Sequence, residues 1–371
     1  MGLTRRQFLQ LVAFGTAGGT LYSCAPAGAP ASPAPAQPGR ELSGRLVIYS
    51  SIFADGAEAL KKGFEQAYPK VSVEFINPGG TEVILKRLDA ERARPQADLM
   101  HSGFSTEYRE AVKLGLIEPV DPKLVMGDLP ESLDLGGVKV PLKDKNNYFF
   151  VWGIQFGGIE VNTERLRALN LPRPESLQDL TKPVYRGHII FMKPQNSSTA
   201  FTNVIYTYHA LGNDDAKFRE FWDKLNANIA FYTEKSATLY SLVAKGEAAI
   251  GIAGSRAVYR DQQEGYPVDF IYPADGSVVL DNSMALVKGA PNRELAIEFM
   301  RWHLSREGQE AIAPILYTPV RPGIKMPRPE VTLEFALKNI PKVIVVDPDV
   351  ADRKRDEILR MFDAYTQGRS R

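Results

Sequence analysis

The sequence predicts an α/β protein built from βαβ units around mainly parallel sheets. Short buried-strand patterns alternate with amphipathic helical patterns over most of the chain, which is typical of this class. The single cysteine lies near the amino terminus, so a hydrophobic core rather than an internal disulfide must stabilise the fold. The 371 residues suffice for two domains of common size or one large one.

The first alternating region begins at Gly44. A short apolar run after it indicates a buried strand, and Ala59, Leu60 and Phe64 then recur at helical spacing. A glycine pair interrupts the next strand, and Thr81 can cap the helix that follows it. The predicted elements are strands over 45–50, 71–76 and 98–100, and helices over 57–68, 82–94 and 106–114.

The same alternation resumes in the middle of the chain and continues towards its end. The proline-rich stretch 314–329 interrupts it and predicts irregular structure. The predicted strands cover 187–191, 248–253, 268–272 and 284–287, and the predicted helices cover 200–211, 218–226, 236–245, 293–304 and 350–366.

The amino terminus carries the features of an export signal. Arg5 and Arg6 precede a short apolar run over 8–21, which is typical of a twin-arginine leader and too short for a membrane span. The run ends in Leu-Tyr-Ser-Cys, which resembles a lipobox and predicts acylation of Cys24. Residues 1–24 are therefore interpreted as a lipoprotein signal, and the uncharged Ala/Pro-rich residues 25–43 as a tether. An uncleaved leader with an ordinary thiol is the alternative.

The charge balance excludes one class of partner. The formal net charge is +1, and removing Arg5 and Arg6 from the 45 basic residues leaves 43 against 44 acidic ones. A nucleic-acid-binding protein normally needs a basic face, so no nucleic-acid partner is expected. Beyond the leader, no apolar run reaches the length of a membrane span, so the lipid is the only predicted membrane anchor.

Between about residues 45 and 322 the chain resembles the extracellular solute-binding proteins of ABC importers. It is most similar to the branch that binds ferric iron, phosphonates, polyamines and thiamine. The likeness lies in Leu-Val-Ile-Tyr-Ser at 46–50, Ala-Asp-Leu-Met at 97–100, Gly-Glu-Ala-Ala-Ile-Gly-Ile at 246–252, Gly-Ala-Pro-Asn at 289–292 and Ser-Arg-Glu-Gly-Gln at 305–309.

The resemblance implies a type II periplasmic-binding-protein fold, with helices on both faces of the sheets and two crossing hinge strands. Lobe one would comprise 44–147 and 254–371, and lobe two 148–253. A solute would be captured between the lobes by hinge closure, which a membrane permease reads. The resemblance further implies an extracytoplasmic, monomeric receptor without cofactor or enzymatic activity.

Polar residues follow the predicted strands at the ends where ligands of such sheets bind. Hydroxyls, amides and backbone N–H groups beside helix N-termini suit an anion, although each residue alone could simply cap a helix. The candidate ligand-binding residues are Ser50, Ser51, Asn77, Gly80, Thr81, Ser102, Asn196, Ser197, Ser198, Thr199, Ser236, Thr238, Arg256, Tyr259 and Asp281.

Arg256 distinguishes this chain from the ferric branch that it resembles. That branch places two adjacent tyrosines after the corresponding strand, where this chain has Arg256 and Ala257 and keeps only Tyr259. A guanidinium repels Fe³⁺ but binds phosphate, phosphonate or carboxylate through two hydrogen bonds. An anionic solute is therefore predicted and no metal site. A surface ion pair is the alternative role for Arg256.

Asp281 extends this prediction towards zwitterions. A carboxylate in the cleft would bind an ammonium group, and with Arg256 it would suit an aminophosphonate or an amino acid. A loop-capping role for Asp281 is the alternative.

Three other functions stay open at this level. A ferric-binding protein could use other ligands, such as His101 with Tyr259, although the four histidines show no metal-ligand spacing. An exported hydrolase is disfavoured because the chain lacks a nucleophile elbow, a phosphate-binding loop and a dinucleotide fingerprint. A receptor serving a two-component sensor instead of a permease would have the same fold.

Overall fold

The computed structural model describes residues 42–369. The predicted signal, Cys24 and almost all of the 25–43 tether lie outside the described residues. Within the described part, no helix combines the length and the apolar character needed to cross a membrane.

Fourteen strands and thirteen α-helices are assigned between residues 42 and 369. The strands are β1 Gly44–Ser50, β2 Val71–Ile76, β3 Leu99–His101, β4 Ile117–Glu118, β5 Ser132–Leu135, β6 Val138–Pro141, β7 Phe150–Asn162, β8 Ile189–Met192, β9 Ile229–Thr233, β10 Ile250–Gly254, β11 Val268–Ile271, β12 Ser277–Val287, β13 Thr318–Pro319 and β14 Val343–Ile344. The helices are α1 Ala54–Ala67, α2 Thr81–Ala90, α3 Ser105–Lys113, α4 Pro122–Val125, α5 Thr163–Ala168, α6 Ser198–Ala210, α7 Asp215–Asn228, α8 Ser236–Ala244, α9 Ser255–Gln263, α10 Arg293–Leu304, α11 Arg306–Ile312, α12 Leu333–Asn339 and α13 Pro348–Thr366.

The predicted α/β class is confirmed, with a sheet that is mixed. The main strand order is β2-β1-β3-β12-β7-β10-β8-β9. The outer strands pair in parallel, as β1 does with β2 and β3, and as β8 does with β9 and β10. The two central strands, β7 and β12, run antiparallel to each other and to their neighbours β10 and β3.

The central strands β7 and β12 are the two crossing strands that the fold requires. The first half of β7 pairs with β12, whereas its second half pairs with β10 and β11. The register between β7 and β12 shifts at Asn282/Ser283. A register shift of this kind bends a strand and increases its local twist. The crossing strands therefore carry a bend where they pass from one side of the molecule to the other.

Two main hydrophobic cores flank the crossing strands. The first core packs α1 and α10 against β1 and the first half of β7, with Phe64, Trp152 and Phe299 among its members. The second core surrounds β8 and β10 and packs α6, α7 and α8 against them. It also contains residues from α9 and α13, such as Val258 and Phe362. The second core thus includes segments that the sequence assigned to lobe one.

Candidate functional site

A cavity of about 620 Å³ opens between elements of the two cores, and we call it the cleft. The N-termini of α2, α6, α8 and α9 all meet it. The predicted ligand-binding residues that line the cleft are Ser51, Asn77, Gly80, Thr81, Ser102, Asn196, Ser197, Ser198, Thr199, Ser236 and Arg256. Most of the polar set chosen from the sequence therefore lies around one cavity.

On the first-core side, parallel pairing brings the polar residues together. Strands β1, β2 and β3 run in the same direction, so Ser51, Asn77 and Ser102 follow them at one edge of the sheet. The Ser51 hydroxyl lies 3.0 Å from the Thr81 hydroxyl at the start of α2. Ser102 has a left-handed backbone conformation with φ of 65°, which a non-glycine residue adopts only at some cost. A strained residue beside a cleft fits a functional turn.

On the second-core side, hydroxyl groups link two helix starts. The Ser197 hydroxyl accepts a hydrogen bond from the Ala200 N–H and so caps α6. It also lies 3.0 Å from the Ser236 hydroxyl in the first turn of α8. The Asn196 amide donates to Glu234 over 2.7 Å. These contacts hold the polar groups of this wall in fixed positions.

The helix N-termini at the cleft leave backbone donors available. The N-cap residues of α2, α8 and α9 make no side-chain capping hydrogen bond. Uncapped first-turn N–H groups carry the positive end of the helix dipole and favour a bound anion. Three such ends at one cavity make a setting suited to a phosphate or a carboxylate.

Arg256 is the most constrained cation of the cleft. Its residue is only 1% exposed. Its Nε donates to the Ile315 carbonyl over 2.7 Å, and its Nη2 donates to Asp55 over 2.7 Å. The guanidinium lies over the rings of Phe53 and Tyr317, with 4.8 and 5.1 Å from Cζ to the ring centroids. Its Nη1 is buried and has no hydrogen-bond partner. Arg256 thus presents a fixed donor that lacks an acceptor, and leaving such a donor unpaired is costly.

The remaining charges at the cleft add to its positive character. Glu82 forms an ion pair with Arg355, and Glu234 forms one with Lys193, both over 2.5 Å. These two acidic side chains are therefore already neutralised. Lys86 also lines the cleft, as does Lys235.

Two predicted residues, Ser50 and Thr238, lie outside the cleft lining. Ser50 is buried, and its hydroxyl lies 2.9 Å from Nδ1 of His101. Thr238 is exposed on α8, two residues beyond Ser236. Both are close in sequence to cleft residues, but their side chains are directed elsewhere.

Tyr259 and Asp281 also lie outside the cleft. The Tyr259 hydroxyl is 2.7 Å from the Tyr272 hydroxyl, and burial raises the pKa of Tyr259. Asp281 accepts hydrogen bonds from the N–H and the hydroxyl of Ser105, each over 3.1 Å, and lines a different cavity. Asp281 therefore does not supply the cleft with a carboxylate that could bind an ammonium group.

Several cleft residues were not identified from the sequence. Gln155 and Asn282 lie on the crossing strands, where each is a polar residue within a largely apolar run. That interruption was the available signal for Gln155. Phe53 and Tyr317, which flank Arg256, gave no such signal because aromatic residues are usually core residues.

The residues considered for iron do not meet at the cleft. His101 is buried in the first core, stacks on Trp152 and lies 3.3 Å from His303 between their Nε2 atoms. Burial lowers the pKa of His101 to about 3. Across residues 42–369, no group of three or more His, Cys, Asp or Glu side chains is arranged to hold a metal ion.

The fold and the cleft together define the class of protein: a receptor for a small solute, with its cleft between two α/β halves. The chain belongs to the family described as bacterial extracellular solute-binding protein, whose profile matches residues 95–336. It is thus the extracellular or periplasmic solute-binding component of an ABC importer.

Three similar proteins illustrate the range of the family. An uncharacterized protein of Haemophilus influenzae is 33% identical over 270 residues, which is 72% of this chain and 75% of the relative. A provisionally assigned 2-aminoethylphosphonate-binding periplasmic protein of Salmonella typhi is 22% identical, over 68% of this chain and 71% of the relative. The periplasmic binding protein AfuA from Actinobacillus pleuropneumoniae, solved with exogenous fructose-6-phosphate bound, is 28% identical with a TM-score of 0.75. That comparison covers 87% of this chain and 98% of AfuA.

Proposed function

We propose that this receptor captures a small anionic solute that carries a phosphate, phosphonate or carboxylate group. The observation that carries the proposal is the buried Arg256, whose Nη1 lacks a partner at a cavity edged by three uncapped helix N-termini. A phosphoryl group would accept hydrogen bonds from both kinds of donor. The phosphorylated sugar in AfuA and the phosphonate in the name of the Salmonella relative support this class.

The proposal favours an anion over the wider zwitterion class. The acidic side chains that line the cleft, Glu82 and Glu234, are both held in ion pairs, and Asp281 lies elsewhere. An ammonium group on the solute would have to compete with Arg355 or Lys193 for them. A solute with a neutral polar body and one anionic group meets no such competition.

The solute class can be tested by thermal-shift screening of the full-length protein. The panel would contain fructose 6-phosphate, 2-aminoethylphosphonate, small carboxylates, polyamines, thiamine and ferric citrate. Binding to the native state alone raises the melting temperature by mass action. We expect a shift with a phosphate ester, a phosphonate or a carboxylate. A shift only with ferric citrate or polyamines would overturn the anion proposal and leave the receptor class intact.

Arg256 is then tested with the anion that binds best. Arg256→Gln removes the charge, and we expect its affinity to fall by about tenfold or more, as for a lost charged hydrogen bond. Arg219→Gln is the matched control, since Arg219 lies on α7, pairs with Asp223 and does not line the cleft. Equal affinities of the two variants would show that Arg256 has only a structural role.

We further propose that the solute is enclosed by closure of the two halves about β7 and β12, and that the permease recognises the closed form. Cleft residues come from both sides of the crossing strands, so a bound anion would contact both. Contacts from both sides favour the closed state. The bend at Asn282/Ser283 provides a place where rotation can be absorbed.

We also propose that the mature protein is a lipoprotein, exported through a twin-arginine-type signal and anchored through Cys24. Cys24→Ala expressed in a bacterial host would move the protein from the membrane fraction to the soluble extracytoplasmic fraction. A matched Ser23→Ala variant should stay with the membrane. Membrane retention of Cys24→Ala equal to the wild type would contradict the anchor.

A further inference from the structure

A second cavity of about 390 Å³ shares no lining residue with the cleft. Its apolar wall comes from β6, β7, β12 and the segments before β7 and α13, and polar or charged side chains from α3, α6 and residues 131–145 complete the lining. The apolar lining residues include Val140, Phe149, Val151, Val279, Val345 and Val346. Small-molecule sites in proteins are typically concave, mostly apolar cavities of about 300–1,000 Å³ with a few fixed polar groups. The second cavity has this size, and most of its lining surface is apolar.

The second cavity and the cleft lie against the same crossing strand. Asp281 of β12 lines the second cavity, and its neighbour Asn282 lines the cleft. Successive side chains of a strand point to opposite faces, so β12 separates the two cavities. The register shift between β7 and β12 falls at the same place.

Thr202 supplies one polar group of the second cavity. The residue lies on α6, is only 2% exposed, and its hydroxyl has no hydrogen-bond partner among the described residues. A buried hydroxyl without a partner is costly, and folded proteins generally satisfy such groups. A bound molecule with a polar head would remove this cost.

Asp281 supplies a second polar group to the cavity. Ser105 donates its N–H to one carboxylate oxygen and its hydroxyl to the other, which fixes the orientation of the carboxylate. A carboxylate accepts about four hydrogen bonds, so it retains capacity for a further donor. The nearby cation Arg109 is paired with Asp352, and Lys143 is paired with Glu131. Both of these cations are therefore occupied, and at Asp281 the cavity offers an acceptor to a donor on a bound molecule.

We propose that the second cavity is a separate binding site for a small molecule with an apolar body and one hydrogen-bond-donating head, an alcohol or an amine. The valine-rich wall surrounds the body, and Thr202 and Asp281 receive the head. The site requires no anion and uses no cleft residue, so it does not depend on the proposed solute. Its position against β12 would place the bound molecule directly beside a crossing strand.

The test uses 2-phenylethanol and 2-phenylethylamine as probes, titrated calorimetrically into the full-length protein. We expect saturable binding of at least one probe. Thr202→Val keeps the shape of the side chain and removes its hydroxyl, so it should lower the affinity for the bound probe at least fivefold. Asp281→Asn should weaken the amine more than the alcohol, because only the amine loses a charged partner. Thr181→Val is the control, since Thr181 is partly exposed and does not line the second cavity.

Melting temperatures without probe establish that each variant is folded. If Asp281→Asn fails to fold, Thr202→Val alone tests the proposal. This variant is expected to fold, because the Thr202 hydroxyl has no hydrogen-bond partner that the substitution would remove. Wild-type protein that binds neither probe saturably would overturn the proposal, as would Thr202→Val binding with wild-type affinity. If Thr202→Val still binds the anion at the cleft, binding at the cleft is independent of binding at the second cavity.

Discussion

Glu160 is the most unusual titratable residue outside the two cavities. It lies in β7, is fully buried, and neither carboxyl oxygen has a hydrogen-bond partner among the described residues. Burial raises its pKa well above the usual range, and the nearby Asp261 raises it further. A buried carboxylate without a partner is far costlier than a buried carboxylic acid. Glu160 is therefore held in the neutral form in the folded protein.

This state of Glu160 predicts a pH dependence of stability. The pKa of Glu160 is higher in the folded state than in the unfolded state, so the folded protein holds more protons at pH values between the two. The contribution of neutral Glu160 to the free energy of unfolding is therefore fully present below the unfolded pKa and is lost as pH rises through the folded pKa. We expect the urea midpoint of the wild type to fall between pH 5.5 and pH 8. The midpoint of Glu160→Gln, which cannot ionise at this position, should fall less.

The exposed Glu58→Gln variant is the matched control for this experiment. It should follow the wild type at both pH values. Urea midpoints of Glu160→Gln that shift with pH as much as those of the control would show that Glu160 does not titrate in this range.

At the residue scale, the sequence identified side-chain types better than their directions. The position of Arg256 after β10 could be predicted, but its partners could not, because Asp55 lies 201 residues away in sequence. The face on which Asp281 lies depends on strand alternation beside a register shift, which a single sequence does not reveal. Eleven of the fifteen candidate residues line the cleft because parallel strands end at one edge, a rule that needs only the order of the elements.

At the element scale, short strands and amphipathic helices could be predicted, but the crossing strands could not be delimited. Residues 71–76 and 293–304 match β2 and α10. By contrast, β7 is buried along nearly its whole length, and its continuous apolar run has no period that marks a strand. Helix α9 was missed because the polar residues Ser255 and Arg256 directly follow β10 and were interpreted only as residues after a strand.

Helix α13 contacts elements on both sides of the cleft. Its apolar face belongs to the second core, where Phe362 is fully buried against Trp222 with ring centroids 4.9 Å apart. Its polar face pairs with α3 through Asp352 and Arg109 over 2.7 Å. Partly exposed ion pairs of this kind contribute about 0–1 kcal/mol each, so they can break and reform at little cost. The amphipathic pattern over 350–366 predicted the helix but not which core it would join.

At the scale of the whole molecule, the two cores are large enough to act as rigid bodies on either side of the cleft. Packed cores resist deformation, so movement concentrates where few side chains interlock. Strands β7 and β12 are the main connections between the cores, and the surface ion pairs of α13 are readily exchanged. This architecture supports our proposal that the two halves close about the crossing strands.

Closure makes a prediction for the whole molecule in solution. A compact chain of this length has a radius of gyration of about 21 Å. We expect the anion that binds best to reduce the value measured by small-angle X-ray scattering by roughly a few per cent, because contacts from both sides select the closed state. At an anion concentration close to the wild-type dissociation constant, Arg256→Gln should stay nearer to the unliganded value than the wild type does, since its binding is weakened. An unchanged radius of gyration in anion-saturated wild-type protein would mean that the anion contacts one side of the cleft only. The permease would then have to recognise a feature of the bound receptor other than closure.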